Sequence, residues 1–321
     1  MYYSAICFEE YADISLFPTN YPNSRLLDLS NINIEELNKR PYVIILSVHC
    51  PYFLNKSLPY IEKLKVPFII ITCADDGEFP NDKFAQKAKI PWFNDKGQII
   101  EKLNANIYFK HWFTINKTIP NNDKFTSIPY GLEFWSKRTQ SFYGESCESI
   151  DLQNKLLTDI ISKSQHFSKR IPISFCNFHF NFSDDRYYGE RRLLYRILSN
   201  KVAYFQNKKK SRTECWIEMS KYSFVISPFG HGMDCIRTME ALCLGCIVIM
   251  KKSCLDCIYE DLPILLIDNW TDITEELLNK TLLEFNKKEF NYNKLKFEYW
   301  YNLVLSKFKK NNITLIKSKS K

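Results

Sequence analysis

Residues 224–246 decide the fold, and they read FVISPFGHGMDCIRTMEALCLGC. The apolar residues at 224–226 predict a buried strand, and the residues after the loop carry apolar side chains at helical spacing. Three of the eight glycines of the chain, Gly230, Gly232 and Gly245, lie in this segment. They indicate sharp turns or a close approach of the backbone to a ligand. The order strand, glycine loop, helix and strand is typical of one unit of an α/β sheet.

The same alternation of apolar strands and helices extends along the chain in both directions. In the second half it predicts strands at 171–180, 202–205, 224–227, 246–250 and 263–268, and helices at 189–198, 212–220, 235–244 and 274–285. In the first half it predicts strands at 42–48, 67–72, 105–109 and 125–129, with helical segments at 58–65 and 83–88. Continuous apolar strands that alternate with helices predict parallel sheets covered on both faces.

A polar stretch at 145–169, with one amphipathic helix predicted at 152–161, separates the two halves. We therefore expect a Rossmann-like domain at 1–165, a second one at 166–290, and a C-terminal helix with a basic tail at 291–321. Sheets of this class bind ligands at the carboxyl ends of their strands. Two such domains predict a cleft between facing strand ends.

Composition limits the class of protein and of partner. The chain has 321 residues, of which 45% are hydrophobic and 25% charged, which excludes wholesale disorder, collagen-like repeats and a long coiled coil. With 44 basic and 36 acidic residues, the net charge of +8 favours anionic partners without naming one. The last fifteen residues contain six lysines and no acid, and we interpret them as a solvated tail.

The sequence also predicts a cytoplasmic protein. No apolar run approaches the roughly 18 to 20 residues that cross a bilayer. Glu9 and Glu10 stand where a secretory signal would be apolar. Eleven cysteines are an odd number spread irregularly over the chain, which favours free buried thiols over a disulfide framework.

The helix that follows the glycine loop predicts an anion site, because its first N–H groups are free to bind one. Asp234 is placed to be the N-cap of this helix. Arg237 falls in the first turn, where the helix dipole disfavours a cation. Either Asp234 or a bound phosphate would compensate that charge, and both remain open. Glu240 lies three residues further on, within reach of the same cleft, with a solvated glutamate as the alternative.

A second basic element opens the helix after the first strand of the second domain, where residues 189–192 read GERR. This position predicts that Arg192, or Arg191, reaches an anion bound at the same edge of the sheet. A plain solvated helix start is the alternative.

The glycine loop matches neither a P-loop nor a dinucleotide triplet. Instead the pattern SPxGxGxDCxRTxEALxxGCI at 227–247 resembles the C-terminal signature of exostosin-like glycosyltransferases. The segments YEDLP at 259–263 and DNW at 268–270 resemble the same region. Shorter segments at 72–80, 111–116 and 128–133 are similar to the acceptor-side domain of that family.

The resemblance implies an α/β enzyme of the GT-B fold, with two Rossmann-like domains facing across a cleft. The enzyme would transfer a sugar from a nucleotide-diphosphate donor, with a UDP-sugar favoured, to the hydroxyl of a glycan or another acceptor. The transfer would be inverting and would need no metal or cofactor. Glu240 would bind the ribose hydroxyls, and the final helix would return to the N-terminal domain. The donor-binding residues would be Arg192, Ser227, Gly230, His231, Gly232, Asp234, Arg237 and Glu240.

An inverting transfer needs a general base for the acceptor hydroxyl. Asp76 follows the buried strand predicted at 67–72 and is our candidate for this role. Asp75 is the immediate rival, His49 is the third candidate, and turn formation by either aspartate is the alternative.

Three other interpretations stay open. Cys243 with Cys246, and Cys254 with Cys257, form two CxxC pairs that suggest zinc, although only seven residues separate the pairs. A basic, aromatic-rich chain is compatible with nucleic-acid binding, but basic and aromatic residues do not concentrate on one predicted surface. A relative that binds the nucleotide sugar without catalysis is the third.

Overall fold

The computed structural model describes residues 1–16, 32–48, 57–73, 77–80, 97–134, 149–178, 189–230 and 232–309. These residues form two parallel sheets. The first contains β1 (Ile14–Leu16), β2 (Val43–Val48), β3 (Phe68–Cys73), β4 (Phe109–Thr114) and β5 (Phe125–Ser127). The second contains β6 (Ile171–Cys176), β7 (Ala203–Phe205), β8 (Tyr222–Ile226), β9 (Ile247–Lys251) and β10 (Ile264–Ile267).

Helices connect and flank these strands. With the first sheet lie α1 (Ile34–Leu37) and α2 (Gly97–Ala105). The later helices are α3 (Ile150–Lys163), α4 (Glu190–Ile197), α5 (Arg212–Met219), α6 (Ile236–Cys243), α7 (Asp256–Tyr259), α8 (Glu275–Phe285) and α9 (Phe297–Lys309). Among the described residues no helix is both long enough and apolar enough to cross a membrane.

The first sheet has the order β1-β2-β3-β4-β5, with every neighbouring pair parallel. All six residues of β3 are buried, as expected for a strand covered on both faces. The strand predicted at 105–109 is wrong, because α2 extends to Ala105 and β4 begins at Phe109. Lys110 and His111 interrupt the apolar pattern of β4, and for this reason the sequence analysis did not predict the strand.

The second sheet has the order β10-β9-β8-β6-β7, again all parallel. Each strand and helix predicted for this half is confirmed, although the first strand ends at Cys176 rather than at 180. The chain adds β7 on one side of β6 and then returns to place β8 on the other side. The order of the strands therefore reverses between β6 and β8, which makes a topological switch point.

The chain divides into two compact units. One consists of Met1–Ile6 and Pro129–Phe297 and contains the second sheet; the other consists of Cys7–Ile128 and Glu298–Lys321 and contains the first sheet. The predicted limit at 165 lies inside the first of these units. The reason is that α3 packs with α5, a helix of the same unit, since Gln153 accepts a hydrogen bond of 2.7 Å from Arg212 on α5.

The last helix, α9, belongs to the unit of the first sheet, as expected. The ring of Phe308 stacks on Tyr42 with centroids 4.3 Å apart, and Tyr301 contacts Tyr11 at 4.4 Å. The described residues thus have an α/β architecture, with two Rossmann-like units that each contain one parallel sheet.

Candidate functional site

The switch point of the second sheet locates the candidate site. Ligands of open α/β sheets bind outside the carboxyl ends of the two strands between which the order reverses. Here these strands are β6 and β8. Asn177 and Phe178 follow β6, and the glycine loop that begins at Ser227 follows β8 and leads into α6. The segment that the sequence analysis singled out therefore lies at the position that topology selects.

Arg237, in the first turn of α6, lies at this switch point. Its Nε donates a hydrogen bond of 2.7 Å to Oδ1 of Asn177. Its guanidinium lies 5.6 Å from the ring centroid of Phe178. Its Nη1 is buried and has no hydrogen-bond partner in the described part of the chain, where Arg237 also forms no ion pair. Of the two compensating anions considered, Asp234 is therefore not paired with Arg237, and an exogenous anion remains the candidate.

Arg191, on α4, reaches the same place from the other strand end. Its Nε donates to the carbonyl oxygen of Phe229 at 3.0 Å. Its guanidinium lies 6.0 Å from the ring of Phe178, the ring that Arg237 also contacts. Arg192 is exposed on α4. Of the two neighbouring arginines, Arg191 contacts the glycine loop, whereas Arg192 was the residue favoured from the sequence.

Gly230 is a glycine because Arg191 packs against it. A Cβ at this position would lie 2.6 Å from Nη2 of Arg191 and 3.2 Å from Sγ of Cys235. The N–H of Gly230 donates to the carbonyl oxygen of Gly232 at 2.9 Å. The loop therefore uses this amide internally, and the predicted donor-binding role of Gly230 remains a prediction. His231 lies outside the described residues.

Ser227 and Asp234 connect the loop to its surroundings. The hydroxyl of Ser227 is 2.9 Å from that of Thr238, which joins the end of β8 to α6. Asp234 is not the N-cap of α6; that position belongs to Cys235. The prediction failed because the Asp234 carboxylate turns inward and is buried.

The buried carboxylate of Asp234 accepts three hydrogen bonds from three segments of the chain. The donors are the N–H of Tyr130 at 2.7 Å, the N–H of Cys235 at 2.8 Å and the hydroxyl of Tyr259 at 2.5 Å. Burial raises the pKa of Asp234, and these three bonds act in the opposite direction. Asp234 thereby connects the segment just before α6 to Tyr130 and Tyr259, which are distant in sequence.

Glu240 is buried on α6, at 7% exposure, so the alternative of a solvated glutamate is wrong. Burial raises its pKa, while the Trp216 side chain and the positive charges of Arg212 and Arg237 lower it. A buried carboxylate in such surroundings attracts hydrogen-bond donors. The predicted contact with ribose hydroxyls remains a prediction.

The sequence analysis missed the buried arginine beside Glu240. Nη1 of Arg212 donates to the carbonyl oxygen of Glu133 at 2.6 Å, and its guanidinium lies 4.7 Å from the Trp216 ring. Arg212 is the first residue of α5, and an arginine at the start of a helix ordinarily indicates a solvated surface. No local signal distinguishes it, because its partners come from residues 133 and 153.

A further cation missed by the sequence analysis ends β9. Nζ of Lys251 is 2.9 Å from Oε1 of Glu190, the first residue of α4, and lies 5.9 Å from the Trp270 ring. Its place at the carboxyl end of a predicted strand was the signal that could have identified it. This pair brings a third basic side chain to the strand ends of the second sheet.

Comparisons with known proteins give solved structures only. No family model matches the chain, and no curated protein does. The chain is similar to an α1,3-fucosyltransferase, with a TM-score of 0.43 and 12% identity over 85% of this chain and 81% of that chain. A UDP-forming α,α-trehalose-phosphate synthase from Burkholderia xenovorans gives a TM-score of 0.42 and 10% identity over 86% and 75% of the two chains. These values leave the activity to be argued from the site, and the exostosin-like resemblance stays a prediction.

The remaining predicted site residues lie on the other unit or outside the described chain. Asp76, Asp75 and His49 belong to segments that the structure does not describe.

The two CxxC pairs, which suggested a zinc site, differ in burial. Cys243 and Cys246 are buried, whereas Cys254 and Cys257 are exposed. Across the described ranges no group of three or more His, Cys, Asp or Glu side chains is arranged to hold a metal ion.

Proposed function

We propose that the protein is a glycosyltransferase that moves a sugar from a nucleotide-diphosphate donor, with UDP favoured, to an acceptor hydroxyl. One observation carries the proposal: the guanidinium groups of Arg191 and Arg237 converge on one aromatic ring at the switch point of the second sheet. Two like charges held close together are stabilised by an anion, and a diphosphate supplies two or three negative charges. The sequence pattern at 227–247 supports the same class of donor.

The proposed reaction is a single inverting displacement that needs no metal. The acceptor oxygen attacks the anomeric carbon, and the bond to the diphosphate oxygen breaks with its electron pair. Asp76, as general base, takes the proton of the acceptor hydroxyl. Negative charge grows on the leaving diphosphate, and the free N–H groups of Arg237 stabilise it more in the transition state than in the ground state. Asn177 keeps the guanidinium of Arg237 oriented while leaving Nη1 for the ligand.

The neighbouring residues have supporting roles in this proposal. Glu240 accepts hydrogen bonds from the ribose, and Ser227, Gly230, His231, Gly232 and Asp234 shape the loop beside the diphosphate. Arg191 takes the role that the sequence analysis gave to Arg192. The nine cysteines of the described residues are free thiols, which supports a cytoplasmic location.

A thermal-shift panel tests the proposal. UDP, GDP, CMP and their sugars are compared, with single-stranded DNA and a zinc chelator as controls. A ligand that binds only the folded state raises the melting temperature. We expect a rise with one nucleotide that is lost in Arg237→Ala and kept in Arg192→Ala, an exposed arginine with the same change of charge.

The other outcomes separate the competing functions. A shift with DNA alone would support a nucleic-acid-binding protein, and a shift with the chelator would point to zinc. A nucleotide shift without transfer of sugar to any acceptor in a glycan panel would identify a relative that binds the donor without catalysis. No change of the melting temperature with any nucleotide would contradict the proposal.

A further inference from the structure

A pocket of about 390 Å³ lies along the outer edge of the second sheet. Three carboxylate residues line one part of it, Asp256, Glu260 and Asp261. Apolar residues that enter or form β10 line another part, Leu262, Ile264 and Leu266. This acidic edge pocket is separate from the switch point, which lies between β6 and β8.

The outer edge of β10 carries backbone hydrogen-bonding groups that do not pair with another strand of the described sheet. In the described sheet β10 pairs only with β9. The carbonyl oxygens of Pro263 and Ile267 accept hydrogen bonds from the N–H groups of Val248, in β9, and of Lys252, the residue after β9. Because successive residues of a strand turn their backbone groups to opposite sides, those of Ile264 and Leu266 face outward.

One of the outward groups is already used. The N–H of Ile264 donates to the carbonyl oxygen of Leu262 at 2.7 Å. Within the described ranges, the carbonyl oxygens of Ile264 and Leu266 and the N–H of Leu266 have no backbone partner, so they remain for an added strand. An extended segment that runs alongside β10 would match these three groups with three hydrogen bonds.

The charge at this edge selects the kind of segment. Asp261 has a φ of +66°, which holds its backbone in the left-handed region at the turn into β10. Asp256 accepts a hydrogen bond of 2.9 Å from the N–H of Ser253, so its side chain is oriented by its own turn. Lys294 lies beside this turn, and its Nζ donates to the carbonyl oxygen of Glu260. The residues with a formal charge that line the pocket are Asp256, Glu260 and Asp261, so its exposed rim is acidic.

We infer that the β10 edge binds an extended peptide segment of a partner protein that carries lysine or arginine side chains. Strand addition supplies the main-chain hydrogen bonds, the apolar residues supply contact area, and the carboxylates select basic side chains. Pairing of two copies of this chain edge to edge would bring two acidic rims together, which opposes self-association. Nucleic acid is excluded from this surface by the same charge.

The length of β10 favours the binding of one short peptide over continued growth of the sheet by further strands. β10 contains four residues, and Pro263 precedes it. A short edge strand that begins after a proline limits continued sheet growth. A peptide of about five residues is sufficient to cover the available groups.

The test uses the full-length protein and an acetylated, amidated pentapeptide with the sequence Lys-Val-Lys-Val-Lys. Amide resonances are followed by NMR during the titration. We expect the Leu266 N–H to shift and its hydrogen exchange to slow, with a Kd below about 1 mM. The matching peptide with glutamate in place of lysine should bind at least about tenfold more weakly. A peptide with N-methylated valines keeps the charge but removes donors, and it should also fail to protect Leu266.

Paired variants separate charge from folding. Glu260→Gln with Asp261→Asn removes two rim charges, and asparagine tolerates the positive φ at 261. We expect the affinity for the lysine peptide to fall about threefold to tenfold. The control, Glu62→Gln with Glu101→Gln, changes the same charge on exposed residues of the other unit and should leave the affinity unchanged. No shift at Leu266 up to about 1 mM peptide, or equal losses in both variants, would overturn the inference.

Discussion

At the scale of single residues, the candidate site depends on which of two adjacent arginines faces the loop. Arg191 and Arg192 are indistinguishable in sequence, yet only Arg191 donates to Phe229 and approaches the ring of Phe178. Helix rotation decides this, since successive residues of a helix point about 100° apart. The choice depends on how α4 packs on the sheet.

The two arginines should therefore differ in function. We expect Arg191→Ala to weaken binding of the favoured nucleotide by about tenfold or more, because it removes a cation and a contact to the loop. Arg192→Ala removes the same charge from an exposed position and should change the affinity less than about threefold. Isothermal titration of both variants checks this. Equal losses would mean that long-range charge alone attracts the nucleotide.

Two glycines near the loop should separate binding from stability. Gly230→Ala forces Arg191 to move, because the new Cβ would lie 2.6 Å from its Nη2, and we expect weaker nucleotide binding with little change in stability. Gly245 has a φ of +76° after α6, so Gly245→Ala should cost about 1 to 2 kcal/mol of stability. Urea denaturation and nucleotide titration of both variants measure the two effects. The reverse pattern would contradict the assignment.

The proposed base provides a third prediction at this scale. Asp76→Asn keeps the size of the side chain and removes its ability to accept a proton. We expect transfer to be abolished while the nucleotide-induced thermal shift stays at the wild-type value, since the proposed donor site lies on the second sheet. Asp75→Asn and His49→Gln serve as matched comparisons. Full activity in Asp76→Asn would remove this residue from the role of base.

At the scale of secondary-structure elements, β4 shows why a polar residue can occupy a buried strand. His111 is fully buried, and its two ring nitrogens lie 2.9 Å from the carbonyl oxygen of Asp123 and 2.8 Å from the hydroxyl of Thr126. The neutral ring satisfies both contacts, donating to the carbonyl and accepting from the hydroxyl. A polar residue thus fits inside the sheet because neighbouring segments supply its partners.

The same histidine should make the protein sensitive to acid. Burial, followed by the positive charge of Lys307, lowers the pKa of His111 to about 3. Between about pH 6.5 and about pH 3, the unfolded chain then binds up to one more proton than the folded chain. Stability contributed by neutral His111 is complete above that pH and is lost as the pH falls from 6.5 towards 3, by up to about 1.4 kcal/mol per pH unit.

His111→Asn tests this element. Asparagine keeps a donor near the position of Nδ1 and does not titrate. We expect a lower stability at pH 7 but a weaker fall between pH 6.5 and pH 4.5, measured by urea denaturation at each pH. Parallel pH profiles for the wild type and the variant would show that His111 does not contribute to acid sensitivity.

At the scale of the whole molecule, each compact unit is assembled from distant parts of the chain. Residues 1–6 belong with the second sheet rather than with the first. The N–H of Tyr3 donates to the carbonyl oxygen of Leu295, and its own carbonyl oxygen accepts from Leu132. The ring of Tyr3 is fully buried and passes so close to Gly131 that a Cβ there would lie 2.8 Å away. The first residues of the chain therefore complete a unit that is otherwise formed after residue 128.

Tyr3→Ala should destabilise this unit selectively. Loss of a fully buried aromatic ring costs about 3 to 5 kcal/mol, whereas Tyr195→Ala removes a ring that is 55% exposed and should cost less than about 1 kcal/mol. Hydrogen exchange should accelerate in β8 and β9 in Tyr3→Ala and stay unchanged in β2 and β3. Uniform acceleration in both sheets would show that the two units unfold together.

Local sequence pattern was sufficient to determine the fold class and the elements of the second sheet. The apolar runs predicted each of its five strands, and the glycine loop at 230–232 indicated where a ligand would approach, because periodicity and glycine content are properties of adjacent residues. Tertiary structure alone decided which side chains meet. It turned Asp234 towards Tyr130 and Tyr259, buried Glu240 near Arg212, and placed residues 1–6 with the second sheet, because these partners lie 25 or more residues apart in the chain and their contacts arise only when the sheets and helices pack.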